Sequence, residues 1–152
     1  MKTTLAKCPF CRTSDALRAV TERFTEDLEH DGRAYQVTVP DLSVQRCDHC
    51  GQHVIPNAAD DRISAALRAA AGLLMPVEIR TRRTDLGLSQ KQLADILKVA
   101  EATVCRWETG GQIQQRGFDT LLRGYFAVPQ ARDFLVGARS ARPDAEPAPS
   151  PG

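Results

Sequence analysis

Cys8-Pro9-Phe10-Cys11 and Cys47-Asp48-His49-Cys50 are two Cys-x-x-Cys pairs that use four of the chain's five cysteines. Within each pair the two thiolates can turn onto one metal through a tight knuckle, and two pairs fill a tetrahedron around a structural Zn²⁺. Cys8, Cys11, Cys47 and Cys50 are therefore the expected ligands of one zinc ion per chain. A filled tetrahedron leaves no open position for water, which makes the metal structural and not catalytic. Gly51 follows the second pair and supplies the backbone freedom that such knuckles use, whereas Arg12 stands at the equivalent place in the first. Thirty-five residues separate Cys11 from Cys47, a length that predicts an intervening three-stranded sheet whose ends the metal ties together. The competing reading of the four cysteines is a pair of disulfides. The first seven residues lack the apolar core of a secretion signal and no apolar run approaches the ~20 residues that cross a bilayer. The expected compartment is the reducing cytoplasm, which favours metal. His49 and His53 flank the second knuckle and read as surface histidines, the alternative being that one replaces a cysteine.

Between the knuckles the signals are for strands. Asp31-Gly32 is a hairpin turn dipeptide, and after it Tyr35, Val37 and Val39 alternate with polar residues at the period of a half-buried strand. Pro40-Asp41 interrupts that alternation, and Leu42 and Val44 continue it towards Cys47. The segment from Leu17 to Phe24 also alternates and is the expected antiparallel partner. Asn57 suits an N-cap and Asp60-Asp61 a first helical turn, predicting a helix from Ala58 to Leu74 that connects two domains. After Pro76, residues Ile79, Leu86, Leu88, Leu93, Ile96, Leu97, Val104 and Trp107 supply a compact helical core. Two further helices are expected from Phe118 to Val128 and from Ala131 to Ala138, separated by Pro129. The last residues hold four of the nine prolines and too little apolar surface to fold.

The fold class that results is α+β. A small zinc-bound antiparallel β domain (residues 1–56) is followed by a connector helix (57–75), an all-α helix-turn-helix domain (76–139) and a disordered tail (140–152). The net charge of +1 conceals an asymmetry. Residues 1–56 carry seven Lys+Arg against eight Asp+Glu, net −1, while residues 76–139 carry ten against seven, net +3. The positive excess sits on the helical domain, as attraction to phosphates requires.

Leu88-Ser89-Gln90-Lys91-Gln92-Leu93-Ala94 and Thr103-Val104-Cys105-Arg106-Trp107-Glu108-Thr109-Gly110 have the pattern of a helix-turn-helix. Its first helix lies across the phosphates and its second enters the major groove of double-stranded DNA. Ser89 is the expected N-cap of the first helix, with Gln90 and Lys91 as phosphate contacts. The second helix is expected to start near Ala100, with Glu101, Ala102, Thr103, Cys105 and Arg106 facing the groove. Arg106 is the base reader of choice because its guanidinium can bond a guanine bidentately; a phosphate contact or an ion pair with Glu108 or Glu101 is the alternative. Glu101 can accept from a cytosine amine, and Ala102 or Thr103 can touch a thymine methyl. Cys105 reads as a small residue near the backbone, the alternative being a redox sensor.

The knuckle Cys8 to Cys11, the run Tyr35-Gln36-Val37-Thr38-Val39-Pro40 and the run Cys47 to Gly51 resemble the YgiT-type zinc finger. The run Leu88 to Gly110 resembles an Xre-type helix-turn-helix. In this order and spacing, over about residues 8–139, they resemble the MqsA-family antitoxins of type II toxin–antitoxin systems. The resemblance implies a zinc domain that neutralises a protein toxin, typically an mRNA-cleaving ribonuclease. It also implies a helical domain that forms a homodimer and represses its own operon at a palindromic operator. The four cysteines carry over as ligands and Arg106 as base reader, but the family's asparagine near the start of the recognition helix falls at Ala102 here. The expected protein is a binding protein and not an enzyme. The alternatives are a stand-alone zinc-containing transcriptional regulator and, opposed by the closed site, a nuclease built on the zinc domain.

Overall fold

The structure of the chain, a computed structural model, describes residues 7–140. Asp31 and Gly32 take φ of 51° and 73°, the pair of positive values that a type I′ turn requires and that matches the twist of the strands it joins. From this turn run β1 (Leu17–His30) and β2 (Arg33–Cys47), paired antiparallel from His30↔Arg33 to Leu17↔Cys47. β3 (His53–Val54) adds Gln45↔Val54 and Arg46↔His53 on the other side of β2, giving the order β1-β2-β3. The three expected strands are present, but only two lie between the knuckles. Strands of 14 and 15 residues consume the intervening segment, so the third forms after Cys50.

The register explains why the apolar positions of β2 change phase. Glu22 pairs with Leu42 and Phe24 with Val39, so one residue of β1 faces the two residues Pro40 and Asp41. This is a β-bulge, placed where Pro40 has no N–H to give the ladder. Because side chains alternate with period 2, the extra residue moves the buried set from odd to even numbers without changing face. Val37, Val39, Leu42 and Val44 are all buried.

Helix α1 (Asn57–Ala71) packs Ala59 and Ile63 against Val39, Leu42 and Val44 in one core. Burying a side chain the size of Ile63 is worth about 1.5–3 kcal/mol. The helix read as a connector is thus part of the first of two compact units, which divide between Leu73 and Leu74. Asn57 is the first helical residue and not the cap. Pro56 holds the cap position with extended backbone, and its carbonyl accepts from Ala59 N–H at 2.9 Å and Asp60 N–H at 3.0 Å. Gly72, at φ 69°, ends the helix before the expected Leu74. Leu73 N–H there donates to Arg68 O at 2.9 Å, a Schellman closure.

The second unit contains α2 (Pro76–Asp85), α3 (Gln90–Leu97), α4 (Glu101–Thr109), α5 (Arg116–Ala127) and α6 (Pro129–Ser140). Its core joins Leu74, Ile79, Leu93, Ala94, Ile96, Leu97, Val104, Trp107, Leu122 and Tyr125. Leu88 packs at the edge, but Leu86, expected inside, is exposed at the C-cap of α2. Pro129 begins α6 instead of merely separating two helices, since its missing N–H costs nothing in a first turn. Leu74 enters this unit with both backbone groups held. Its N–H donates to Asp119 Oδ1 at 2.8 Å and its carbonyl accepts from Gln114 Nε2 at 2.8 Å. The expected tail lies, beyond Ser140, outside the described residues. Among the described residues no helix is long and apolar enough to cross a membrane.

Candidate metal centre and nucleic-acid interface

The hairpin brings the knuckles together by register. Leu17, six residues after Cys11, pairs with Cys47, and Asp48 N–H donates to Ala16 O at 2.8 Å. Each knuckle then closes in the same way. Arg12 N–H donates to Cys8 O and Gly51 N–H to Cys47 O, both at 2.9 Å. Cys8 N–H donates to Thr13 O at 3.0 Å and Cys47 N–H to Gln52 O at 2.9 Å. Arg12 matches Gly51 in conformation as well, with φ of 61° against 73°. A non-glycine residue held there costs about 1–2 kcal/mol, so the arginine strains the first knuckle without changing its form.

Cys8, Cys11, Cys47 and Cys50 present four Sγ atoms within 4.8 Å of one another. Cys8 lies 3.7 Å from Cys50 and Cys11 3.7 Å from Cys47, sulfur to sulfur. A tetrahedron with Zn–S of about 2.3 Å has edges of about 3.8 Å, whereas a disulfide needs about 2.05 Å. The four cysteines are free thiols, and their separations fit one metal ion and exclude disulfides. Cys8 and Cys47 are buried with Ala16 and Leu17, while Cys11 and Cys50 are partly exposed. Without metal the thiols compete for protons. A side-chain hydrogen bond with the Thr13 hydroxyl and one from the Thr13 backbone N–H, with contributions from Cys47 and Cys50, lower Cys11 to about 5 against the opposing effect of burial. At Cys50 the Gln52 backbone N–H also lowers the pKa. Burial and the thiols of Cys47, Cys11 and Cys8 outweigh it and push Cys50 up to about 12. Neither His49 nor His53 joins the cluster; His53 Nδ1 lies 3.0 Å from Glu22 Oε1.

In the second unit Ser89 caps α3. Its hydroxyl accepts from Gln92 N–H at 3.1 Å while its own N–H donates to Gln92 Oε1 at 2.8 Å, the reciprocal capping box. Lys98, at φ 60°, ends α3, and Val99 N–H donates to Ala94 O at 3.0 Å. The chain then re-enters helix at Glu101. Val104 and Trp107 are buried on the inner side of α4, with Trp107 5.4 Å from Phe118 between ring centroids. Ala102, Cys105 and Arg106 fall on one helical face at i, i+3 and i+4, with Glu101 and Thr103 on either side. Glu101, Ala102 and Arg106 are exposed, and Thr103 and Cys105 half-buried. Lys91 is exposed in the first turn of α3.

Glu108 does not pair with Arg106. Its carboxylate takes a bidentate pair from Arg83 of α2, Nε to Oε1 at 2.6 Å and Nη2 to Oε2 at 3.0 Å, and a third bond from Gln90 Nε2 at 2.8 Å. Arg83 Nη1 also donates to Leu88 O at 2.6 Å. The hydrogen bonds to Glu108 raise the Arg83 pKa against the cost of burial. One buried carboxylate therefore ties α2 and the start of α3 to the end of α4. The amide of Gln90, expected on a phosphate, is engaged inside the protein, while its backbone N–H lies in the first turn of α3, where such groups have no intrahelical partner. Arg83 carried no signal in the sequence, because it sits in a polar run and its partner lies 25 residues away.

The family model for MqsA, the antitoxin component of a bacterial toxin–antitoxin system, matches residues 6–124. No curated protein matches the chain. The match spans the cysteine cluster, the hairpin, α1 and the helical unit through most of α5, and the chain belongs to the MqsA antitoxin family.

Proposed function

We propose that the chain neutralises a partner toxin, a ribonuclease that cleaves mRNA, through its zinc-knuckle unit and represses its own transcription through its helical unit. The observation that carries this is the joining, in one MqsA-family chain, of a closed four-thiol site with a helix-turn-helix that exposes Arg106 beside Ala102. The metal that fits the four thiols is Zn²⁺, and its part is to hold the open end of the hairpin. Four thiols on one ion close its tetrahedron, and the activity we read from the two units is binding.

On DNA, the backbone N–H of Gln90 and the ammonium of Lys91 meet phosphates, while Arg106 reads a base, flanked by Glu101, Ala102, Thr103 and Cys105. A palindromic operator calls for a homodimer. Of the apolar positions on α5 that a dimer contact could use, Leu122 and Tyr125 are spent in the core and Phe126 is half-buried. Leu121 remains, 42% exposed, beside a hollow of about 240 Å³ lined with Gln115, Gly117 and Phe118.

Co-expression with the product of the neighbouring gene tests both halves. Growth rescue with co-purification, and a gel shift on the upstream DNA, are the expected results. A gel shift without rescue or co-purification would leave the stand-alone regulator as the correct reading.

A further inference from the structure

We propose that the free edge of β1 is a docking site for an extended strand of the toxin, a strand carrying Lys or Arg, which adds to the sheet through main-chain hydrogen bonds. This rests on the toxin-binding reading above and names the surface it uses. The sheet order leaves β1 at the edge along its whole length of 14 residues, and among the described residues no strand pairs with its outer side. Proteins usually blunt such an edge with charged side chains, lysine above all, or with proline, a bulge or brevity; the charge that β1 carries is mainly acidic, which a basic strand neutralises. β1 has no proline, lysine or glycine, and the extra residue of the bulge lies in β2, so β1 keeps a regular strand.

What β1 does carry is negative charge. Glu22, Glu26, Asp27 and Glu29 stand against Arg18 and Arg23, four acids and two bases, net −2. Glu22 already faces His53, and Arg18 faces Asp48. Glu26, Asp27 and Glu29 lie opposite Val37, Gln36 and Ala34 in the ladder, with no ion-pair partner among the described residues. This charge discriminates between occupants. A second copy of β1 would set acids against acids, which destabilises cross-strand pairs, while a basic strand would neutralise them. A toxin that holds RNA needs cationic surface for phosphates, and the same surface suits this edge. Ladder bonds would supply affinity and the alternating side chains specificity, as in other strand additions.

The test uses the full chain co-purified with the product of the neighbouring gene. Hydrogen exchange should slow by about tenfold or more at every second amide of residues 17–30 on complex formation. A variant with Glu26→Lys, Asp27→Lys and Glu29→Lys should bind at least about tenfold more weakly, with metal content and DNA binding unchanged. A complex that leaves β1 amides exchanging as in the free chain, or a triple variant that binds as well as the parent, overturns the proposal alone. Absence of any complex removes the toxin-binding reading together with it.

Discussion

Glu108→Ala removes the carboxylate that ties α2 and α3 to α4 in the helical unit. The Arg83 and Glu108 side chains are 10% and 2% exposed, so the substitution leaves a guanidinium buried without its counter-charge and takes away three hydrogen bonds, two from Arg83 and one from Gln90. Breaking a buried pair from one side costs about 3–5 kcal/mol, whereas replacing both partners with apolar side chains of similar volume is often neutral or stabilising. For a domain of this size the single substitution should lower the melting temperature by at least about 12 °C. Arg83→Met with Glu108→Leu should recover most of that. Trp107 is the only tryptophan and is buried in the second unit, so its fluorescence during urea unfolding reports that unit alone. A loss under about 1 kcal/mol for Glu108→Ala, or a paired variant no more stable than the single one, would show that the network does not hold these helices together.

Metal analysis of protein purified under reducing conditions should give one zinc per chain, and Cys47→Ser should lose the metal and the β-sheet signal while Trp107 fluorescence stays native. Cys50 keeps its proton up to about 12 in the free cluster, so metal binding at neutral pH displaces at least that proton. The sign follows: affinity falls as pH falls, about tenfold per pH unit for each proton displaced, and a zinc titration with no pH dependence would contradict it. In gel-shift titrations Arg106→Ala should cost about 1–3 kcal/mol of specific binding and relax preference at one position per half-site. Lys91→Ala should instead weaken all sequences evenly and lower the salt slope; the opposite assignment would reverse their roles. If the proposed homodimer forms through α5, Leu121→Asp should convert it to monomers in sedimentation without lowering Trp107-monitored stability, and an unchanged sedimentation coefficient would place the contact elsewhere.

The sequence by itself determined what depends on local spacing and local chemistry. Two Cys-x-x-Cys pairs specify four thiols able to share one metal, Asp31-Gly32 specifies a two-residue turn, Ser89 specifies a helix start, and Val104 and Trp107 specify the inner side of α4. Each is settled within a few residues, by a backbone angle or a side chain's reach. Tertiary structure decided the rest. The phase change between Val39 and Leu42 became intelligible only when pairing with β1 revealed the bulge. Helix α1, with an acceptable connector sequence, joined the first unit because Ala59 and Ile63 found Val39, Leu42 and Val44 across it. Gln90 read as a phosphate contact and Arg83 carried no signal until Glu108, 18 and 25 residues away, gave both a buried partner. A charged side chain can be buried only where a counter-charge desolvates with it, and that partner is chosen by the fold.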